Sequence, residues 1–279
     1  MRRPRLGHIN FVNCLPLTYG LTNGGFGDNL EVERGVPAYL NGLLVNGQLD
    51  ASPVSSIIYA RHSEKLVILP GASISAAGAL ESILLVAKRP IDQLQQARIA
   101  LTAKSATSHC LLKIIMNKAY NARPEYSISS LSLDAGVLDE ADAVLFIGDD
   151  ALYAYHNRKA DYYYYDIGDE WKKLTGLSMV YALWVINKGF AAEKPSLVQM
   201  IYEQVTGGFS YGLDHIEDAA ATMIGKVPFT TQQITHYISL LNYKFTPAHQ
   251  HSLLTFYKLA HELGLIEAVP EIKFAEVAR

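Results

Sequence analysis

The sequence of 279 residues is long enough for one large domain or two small ones. Hydrophobic residues make up 49% of it and charged residues 18%. This globular balance excludes a disordered chain, because disorder requires low hydrophobicity and high net charge. The net charge is −3, and no basic run extends beyond residues 1–5. A nucleic-acid partner is therefore not expected, since phosphate contacts require a basic surface.

Two features of the sequence predict where the protein works. Cys14 and Cys110 are far apart and have no CxxC or metal-binding spacing, which predicts two free thiols in a reducing compartment. The basic start is followed by residues 6–10 instead of the apolar core of a secretory signal. No apolar run reaches the roughly 18 residues that a membrane span needs. We therefore expect a cytoplasmic protein with no membrane partner.

Apolar runs of strand length alternate with segments of helical period along most of the chain. Strands are predicted over residues 6–11, 32–34, 50–53, 65–69, 82–88, 97–102, 141–147, 162–165 and 179–186. Helices are predicted after the turn at 13–17, from Pro37, over 55–60, 107–120, 149–155 and 170–174, and then without further strands over 196–211, 216–224, 231–240 and 247–263. Pro70 closes the fourth strand, so residues 71–78 are predicted to form a loop.

This alternation predicts an α/β fold with mainly parallel sheets. Two long apolar strands, 82–88 and 179–186, bracket a central block of the chain. If the chain crosses between two lobes at these strands, lobe I comprises residues 1–86 plus 183–279 and carries the C-terminal helices, and lobe II comprises 87–182. A two-lobed protein of this kind is expected to bind its ligand in the central cleft, near the ends of the strands.

Three junctions between a strand and a helix are rich in small polar residues, and such junctions present N–H groups and a positive helix end to an anion. At the first junction, Asn13 can either cap a helix or bind a ligand. The second junction begins at Lys104 and carries the hydroxyls of Ser105, Thr107 and Ser108. These hydroxyls can bind a carboxylate or form a capping cluster.

The third junction carries Gly148, which allows a ligand to approach the backbone closely, and Asp149. Asp149 suits the first turn of a helix, but it can also face the cleft. His8, on the first strand, is a minor acid–base candidate. His249, His251 and His261 lack the spacing of a metal site and are expected on a surface face, so no metal is predicted.

The run LGHINFVNCLPL at residues 6–17 resembles the opening of the chorismate dehydratases of the futalosine route to menaquinone. Similar runs follow in the same order: PVSSIIYA at 53–60, LPGASI at 69–74, ESILL at 81–85, SATS at 105–108, IGDDAL at 147–152 and DIGDEW at 166–171. The resemblance covers residues 5–190 strongly and the helical tail weakly.

The resemblance implies a type II periplasmic-binding-protein fold and the loss of water from chorismate to give 3-[(1-carboxyvinyl)oxy]benzoate, with no cofactor. It implies that Asn13 and Ser82 contact the substrate and matter for turnover. Ser105, Thr107 and Ser108 match the part of the family that binds a carboxylate, and Ser55, Gly148 and Asp149 are further candidate substrate-binding residues. His8, Asn10 and Glu81 depart from the residues usual in the family.

Several questions remain open at the level of the sequence. The base can be the enolpyruvyl carboxylate of the substrate, Asp149 or His8. The alternative functions are an enzyme resembling 1,4-dihydroxy-6-naphthoate synthase of the same pathway, a non-enzymatic binding protein for a small anion, and a sensor domain. The first alternative usually carries a Cys-Pro-Asn-Asp run, which the segment after Cys14 lacks. A homodimer is possible.

Overall fold

The computed structural model describes residues 2–102, 105–130 and 136–278. Its strands are β1 (Arg5–Ile9), β2 (Glu31–Gly35), β3 (Ala51–Ser55), β4 (Leu66–Ala76), β5 (Ile83–Ala87), β6 (Arg98–Thr102), β7 (Glu125–Ser129), β8 (Ala143–Ile147), β9 (Tyr163–Asp166), β10 (Met179–Asn187) and β11 (Leu241–Asn242). Its α-helices are α1 (Leu15–Asn23), α2 (Pro37–Val45), α3 (Ser56–Arg61), α4 (Ala106–Tyr120), α5 (Val137–Glu140), α6 (Gly148–His156), α7 (Ile167–Thr175), α8 (Lys188–Glu193), α9 (Pro195–Asp214), α10 (Ile216–Ala221), α11 (Thr231–Leu240) and α12 (Pro247–Glu262).

The strands form two sheets, and helices pack against both. One sheet has the order β11-β4-β10-β3-β1-β2, and the other has the order β7-β6-β8-β5-β9. The fully buried Trp184 on β10 and Trp171 on α7 are among the largest core side chains. This architecture confirms the predicted α/β class, because the strand and helix alternation that indicated it is present along the chain.

The prediction of mainly parallel sheets is wrong. β1 runs parallel to β2 and β3, and β6 runs parallel to β7 and β8. β5 and β10, however, run antiparallel to both of their neighbours. Each of these two strands is reached from the other sheet, since β5 follows β4 and β10 follows α7, which comes after β9. Neither strand is reached by a crossover from a strand of its own sheet, which is the connection that joins parallel neighbours.

The strand pairing also shows where the chain passes between the sheets. β5 lies wholly in the five-stranded sheet, and β10 lies wholly in the six-stranded sheet. The chain therefore passes from one sheet to the other between Ala76 and Ile83, and returns between Asp166 and Met179. The sequence predicts the two crossings after residues 86 and 182, so both passages lie earlier in the chain than expected.

The expected loop at residues 71–78 is largely strand, because β4 continues through Pro70 to Ala76. The register of β4 against β10 shifts there, since Leu183 pairs with Ser73 and Val185 pairs with Ile68. An irregularity of this kind accommodates a proline that cannot donate to the ladder, together with Gly71 at φ +78°. The proline therefore interrupts the pairing without ending the strand.

Candidate active site

A cavity lies between the two sheets, at the ends of β1, β3 and β8 and around the first passage of the chain. Six of the residues predicted to contact substrate line it: Asn13, Ser55, Ser82, Ser105, Ser108 and Gly148. Apolar side chains such as Phe11, Ile74 and Leu80 fill the remaining wall. A mostly apolar cleft with a few converging polar groups is the usual form of a small-molecule site.

Asn13 occupies a 3-10 turn, Val12–Cys14, that follows β1 and leads into α1. The turn is closed by the Cys14 N–H, which donates to the carbonyl of Phe11 over 2.9 Å. The Oδ1 atom of Asn13 is buried and has no hydrogen-bond partner among the described residues. An unpaired buried amide oxygen costs about 1–3 kcal/mol, and a bound hydroxyl or N–H donor would offset that cost.

Ser82 is held in place from several directions. The N–H groups of Leu80 and Glu81 both donate to Oδ2 of Asp166, over 2.9 and 2.6 Å. The carbonyl of Ser82 accepts the N–H of Gly148 over 2.8 Å. Glu81, directly before it, has φ +65°, which is unusual for a residue with a side chain. Residues with a strained backbone of this kind are concentrated at active sites and ligand-binding segments.

The first turn of α4 forms one wall of the cavity, through Ser105 and Ser108. Ser105 is the N-cap residue, and its Oγ accepts the N–H of Ser108 over 3.3 Å. The two serine hydroxyls lie 3.1 Å apart. Capping and a cavity-facing hydroxyl pair therefore occur together here, where the sequence left them as alternatives. Lys104, which begins this junction, lies outside the described residues.

Thr107 is turned away from the cavity that Ser105 and Ser108 line. Its Oγ1 accepts the N–H of Ile57 over 3.1 Å and lies 3.3 Å from Oγ of Ser56. Thr107 is 1% exposed. Successive residues in a helical turn point in different directions, so Ser105, Thr107 and Ser108 cannot all face one ligand. Thr107 instead joins α4 to the first turn of α3, directly behind the cavity-lining Ser55.

Gly148 and Asp149 begin α6 on the far wall of the cleft. Gly148 has φ +60°, and a Cβ atom there would lie 3.4 Å from the ring of Phe11. Gly148 therefore allows the two walls to approach each other. Asp149 does not line the cavity; its Oδ1 accepts the N–H of Val12 over 3.2 Å. Asp149 therefore begins a helix, as one of its two predicted settings requires, and its side chain bonds to the turn after β1 instead of lining the cavity.

His8 does not line the cavity either. It is fully buried, and its Nε2 lies 2.7 Å from the Thr18 hydroxyl, which itself donates to the carbonyl of Cys14. Burial, with a smaller contribution from Arg34, lowers the pKa of His8 to about 3. His8 is therefore a neutral imidazole of the core, a weak base that lies outside the cavity lining.

The expectation of three surface histidines is wrong for His249, which is 7% exposed. Its N–H and Nδ1 take part in a capping box with Thr246 at the start of α12, and its Nε2 lies 3.3 Å from Ser75 Oγ. His251 and His261 are exposed. Within residues 2–102, 105–130 and 136–278, no three His, Cys, Asp or Glu side chains are placed to share a metal ion.

Sequence reasoning missed Tyr181 and Tyr237, which also line the cavity. Tyr237 lies on α11, and its hydroxyl donates to Oγ of Ser82 over 2.8 Å. The only signal in the sequence was a tyrosine in the apolar stripe of a C-terminal helix, which is equally typical of a core residue.

In the part of the chain that the structure describes, no helix is long and apolar enough to span a membrane.

The two sheets and the cleft between them define a protein with the periplasmic-binding-protein fold. Protein AF1704 of Archaeoglobus fulgidus matches it with a TM-score of 0.76 and 19% identity, over 94% of this chain and 98% of that one. The periplasmic aliphatic sulphonate binding protein SsuA of Escherichia coli matches with a TM-score of 0.69 and 14% identity, over 96% and 95%. At these identities the likeness concerns the fold alone.

Comparison of the sequence identifies the family. The family model described as menaquinone biosynthesis matches residues 4–262. A chorismate dehydratase of Thermus thermophilus is 32% identical in an alignment of 279 positions that covers 95% of this chain and 97% of the relative. A chorismate dehydratase of Campylobacter jejuni is 30% identical in an alignment of 181 positions that covers 63% of this chain and 64% of the relative. The protein belongs to this menaquinone biosynthesis family.

Proposed function

We propose that this protein is a chorismate dehydratase, a carbon–oxygen hydro-lyase that forms 3-[(1-carboxyvinyl)oxy]benzoate for menaquinone biosynthesis. The observation that carries the proposal is the convergence of Asn13, Ser82, Ser105 and Ser108 on one cavity. The 32% identity with a curated chorismate dehydratase over nearly the whole chain supports it. The residue types in the cavity also suit a dianionic substrate that carries one hydroxyl.

The first turn of α4 is the proposed site for the ring carboxylate of chorismate. Ser105 and Ser108 supply hydroxyl donors there, and the helix supplies unpaired N–H groups and the positive end of its dipole. Thr107 contributes indirectly by tying α4 to α3. Backbone N–H groups near Gly148, where β8 ends, and the Ser55 hydroxyl complete the proposed contacts.

The reaction removes the C3 hydrogen and the C4 hydroxyl of chorismate, and the ring becomes aromatic. As the C3–H bond breaks, negative charge spreads through the ring double bonds into the ring carboxylate. Donors that are already oriented toward that carboxylate stabilise the charge without reorganisation, as an oxyanion hole does. Ser105 and Ser108 are the proposed donors for this step.

Asn13 and Ser82 are the proposed contacts of the departing C4 hydroxyl. The unpaired Oδ1 of Asn13 can accept a hydrogen bond from this hydroxyl, which fixes the C4–O bond in one orientation. The Ser82 hydroxyl can donate to its oxygen, which assists the breaking of that bond. The electrons of the C3–H bond form the new ring double bond, and the C4–O bond breaks.

The enolpyruvyl carboxylate of the substrate is the proposed base. The enolpyruvyl group is attached to C3 through the ether oxygen, so its carboxylate can reach the C3 proton. The carboxylate takes this proton and delivers it to the departing hydroxyl, which leaves as water. His8 is fully buried and does not line the cavity, which argues against His8 as the base. Asp149 is bonded to Val12 and begins α6, so it is a proposed support of the site.

Further parts of the proposal concern the whole molecule. We propose that the two sheets form the cores of two lobes that enclose the substrate.

Cys14 and Cys110 are both free and buried, which supports a cytoplasmic location. We propose a homodimer as the state in solution, and light scattering of the purified protein tests it. No metal or organic cofactor is required by the proposed chemistry.

The proposal is tested by mixing purified protein with chorismate in buffer containing a chelator and following the products by chromatography and mass. The expected product is an aromatic enol ether that has lost one water. Unchanged chorismate beside folded protein would contradict the proposal. If the unchanged chorismate were also bound, the result would favour a solute-binding protein, whose fold this chain shares. If chorismate did not bind, a cyclic futalosine derivative would be the next substrate to test.

A further inference from the structure

We propose that Tyr237 and Tyr243 are positioning residues that hold Ser82 and Asn13, the two proposed contacts of the departing hydroxyl, in the geometry needed for turnover. This inference rests on the proposed function, and it concerns the C-terminal segment, which the resemblance covers only weakly. Each tyrosine is almost fully buried and donates a hydrogen bond to one of these two residues.

Tyr237 acts on the side chain of Ser82. Its hydroxyl donates to the Ser82 Oγ over 2.8 Å, and the two residues are 1% and 3% exposed. Burial raises the pKa of Tyr237 well above its usual range, so the phenol stays protonated and remains the donor at every physiological pH. Because one lone pair of Ser82 Oγ accepts this proton, the serine's own proton is free to point elsewhere.

The remaining direction for the Ser82 proton is the cavity, which both residues line. A hydroxyl that accepts a hydrogen bond becomes a better donor, because successive bonds in a chain polarise one another. The relay therefore runs from Tyr237 to Ser82 and from Ser82 to the departing oxygen. It fixes the rotamer of Ser82 as well as its donor strength.

Tyr243 acts on the backbone of Asn13. Its hydroxyl donates to the Asn13 carbonyl over 2.8 Å, and the residue is 5% exposed. The neighbouring Val12 N–H is fixed by Asp149, so the 3-10 turn is held on both sides of Asn13. The side-chain amide is the part of Asn13 that these bonds leave available, and its Oδ1 is the unpaired atom described above.

Both tyrosines are placed by a rigid local frame. α11 begins with a capping box in which Thr230 and Gln233 satisfy each other's backbone N–H groups. β11 then pairs with β4, where Leu241 lies opposite Ala76. Beside the bond between Ser82 and Tyr237, the preceding residues Glu81 and His236 form a second contact of 3.3 Å. Two consecutive residues of the first passage are thus held by two consecutive residues of α11.

Three single variants test the inference, and each deletes one phenolic oxygen while keeping the ring. We expect Tyr237→Phe and Tyr243→Phe each to lower kcat about tenfold or more, with KM within about threefold. Tyr59→Phe is the control, because Tyr59 is fully buried and its hydroxyl donates to the Glu271 carbonyl over 2.8 Å and accepts the Lys273 N–H over 2.9 Å, away from the cavity. Its kcat should remain within about twofold of that of the unaltered protein, at a loss of Tm at least as large as in the other two variants.

A double-mutant cycle separates the relay from general loosening. If Tyr237 acts through Ser82, then Tyr237→Phe adds little to the loss already caused by Ser82→Ala. Additive losses would overturn the relay. Unchanged kcat in both Tyr→Phe variants, or an equal loss in Tyr59→Phe, would overturn the positioning role. If the unaltered protein leaves chorismate unchanged, the proposed function fails first and the inference fails with it.

Discussion

The backbone N–H of Val12 donates to Oδ1 of Asp149 over 3.2 Å and joins residues that are 137 positions apart. Val12 follows the first strand of the six-stranded sheet, and Asp149 begins the helix that follows β8 of the five-stranded sheet. The bond therefore crosses the cleft beside Asn13, a proposed contact of the departing hydroxyl. It explains how an acid at a helix start can matter for the site without being its base.

This role predicts that Asp149→Asn keeps measurable turnover. The asparagine retains an Oδ1 atom that can accept the Val12 N–H, but it cannot take a proton from C3 of the substrate. We expect kcat/KM to fall less than about a hundredfold, measured with purified protein and chorismate. Asp149→Ala, which removes the acceptor, should lose more. A loss beyond about 10⁴-fold in Asp149→Asn would instead make Asp149 the general base.

His8→Gln should also retain turnover, because His8 lies outside the cavity. The substitution should, however, change how stability depends on pH. The folded pKa of about 3 lies below the reference value of 6.5, so only the unfolded chain takes up a proton on His8 between these values. Stability from this group is present above pH 6.5 and is lost as the pH falls toward 3, by up to about 1.4 kcal/mol per pH unit.

The measurement is urea unfolding of the unaltered protein and of His8→Gln across that range of pH. Taking the difference between the two proteins removes the contribution of the other titrating groups. We expect the free energy of unfolding to fall more steeply with decreasing pH in the unaltered protein. Parallel curves for the two proteins would show that His8 is protonated as readily in the folded chain as in the unfolded one.

Thr107 and Ser108 should respond differently to loss of their hydroxyls. Thr107→Val leaves the buried N–H of Ile57 without its acceptor and should lower the free energy of unfolding by about 1–3 kcal/mol. Ser108→Ala removes a cavity-facing donor and should raise KM about five- to tenfold with little change in Tm. Steady-state kinetics and thermal unfolding of both variants check this. The reverse pattern would mean that Thr107 faces the substrate.

Gly212 tests the packing of α1 against α9, and Gly42 in α2 serves as a control. A Cβ atom at Gly212 would lie 1.8 Å from the carbonyl oxygen of Pro16, so Gly212→Ala must push the helices apart. We expect a loss of more than about 2 kcal/mol in stability. Gly42 lies within α2, and a methyl group there would meet no atom within 4 Å, so Gly42→Ala should instead stabilise the protein by about 0.5–1 kcal/mol. Denaturant unfolding measures both, and equal effects would contradict the close approach.

Most of the site was predictable where a residue's position along a strand or helix decides its role. Asn13, Ser105 and Gly148 follow strands β1, β6 and β8, whose apolar runs were visible in the sequence. The ends of these strands converge on the cleft, so their polar neighbours do as well. Thr107 shows the limit of this reasoning. A run of hydroxyls places residues on one helical turn but does not say which of them faces the ligand.

The sequence by itself determined the α/β class, the long strands and helices, and the family, because these depend on local periodicity and on the order of short motifs. Only the tertiary structure decided the direction of β5 and β10, the burial of His8, the bond between Val12 and Asp149, and the contacts of Tyr237 and Tyr243. Ser82 and Tyr237 are 155 positions apart. No local pattern encodes their contact, which arises because the packing of both sheets brings the first passage and α11 to the same cavity.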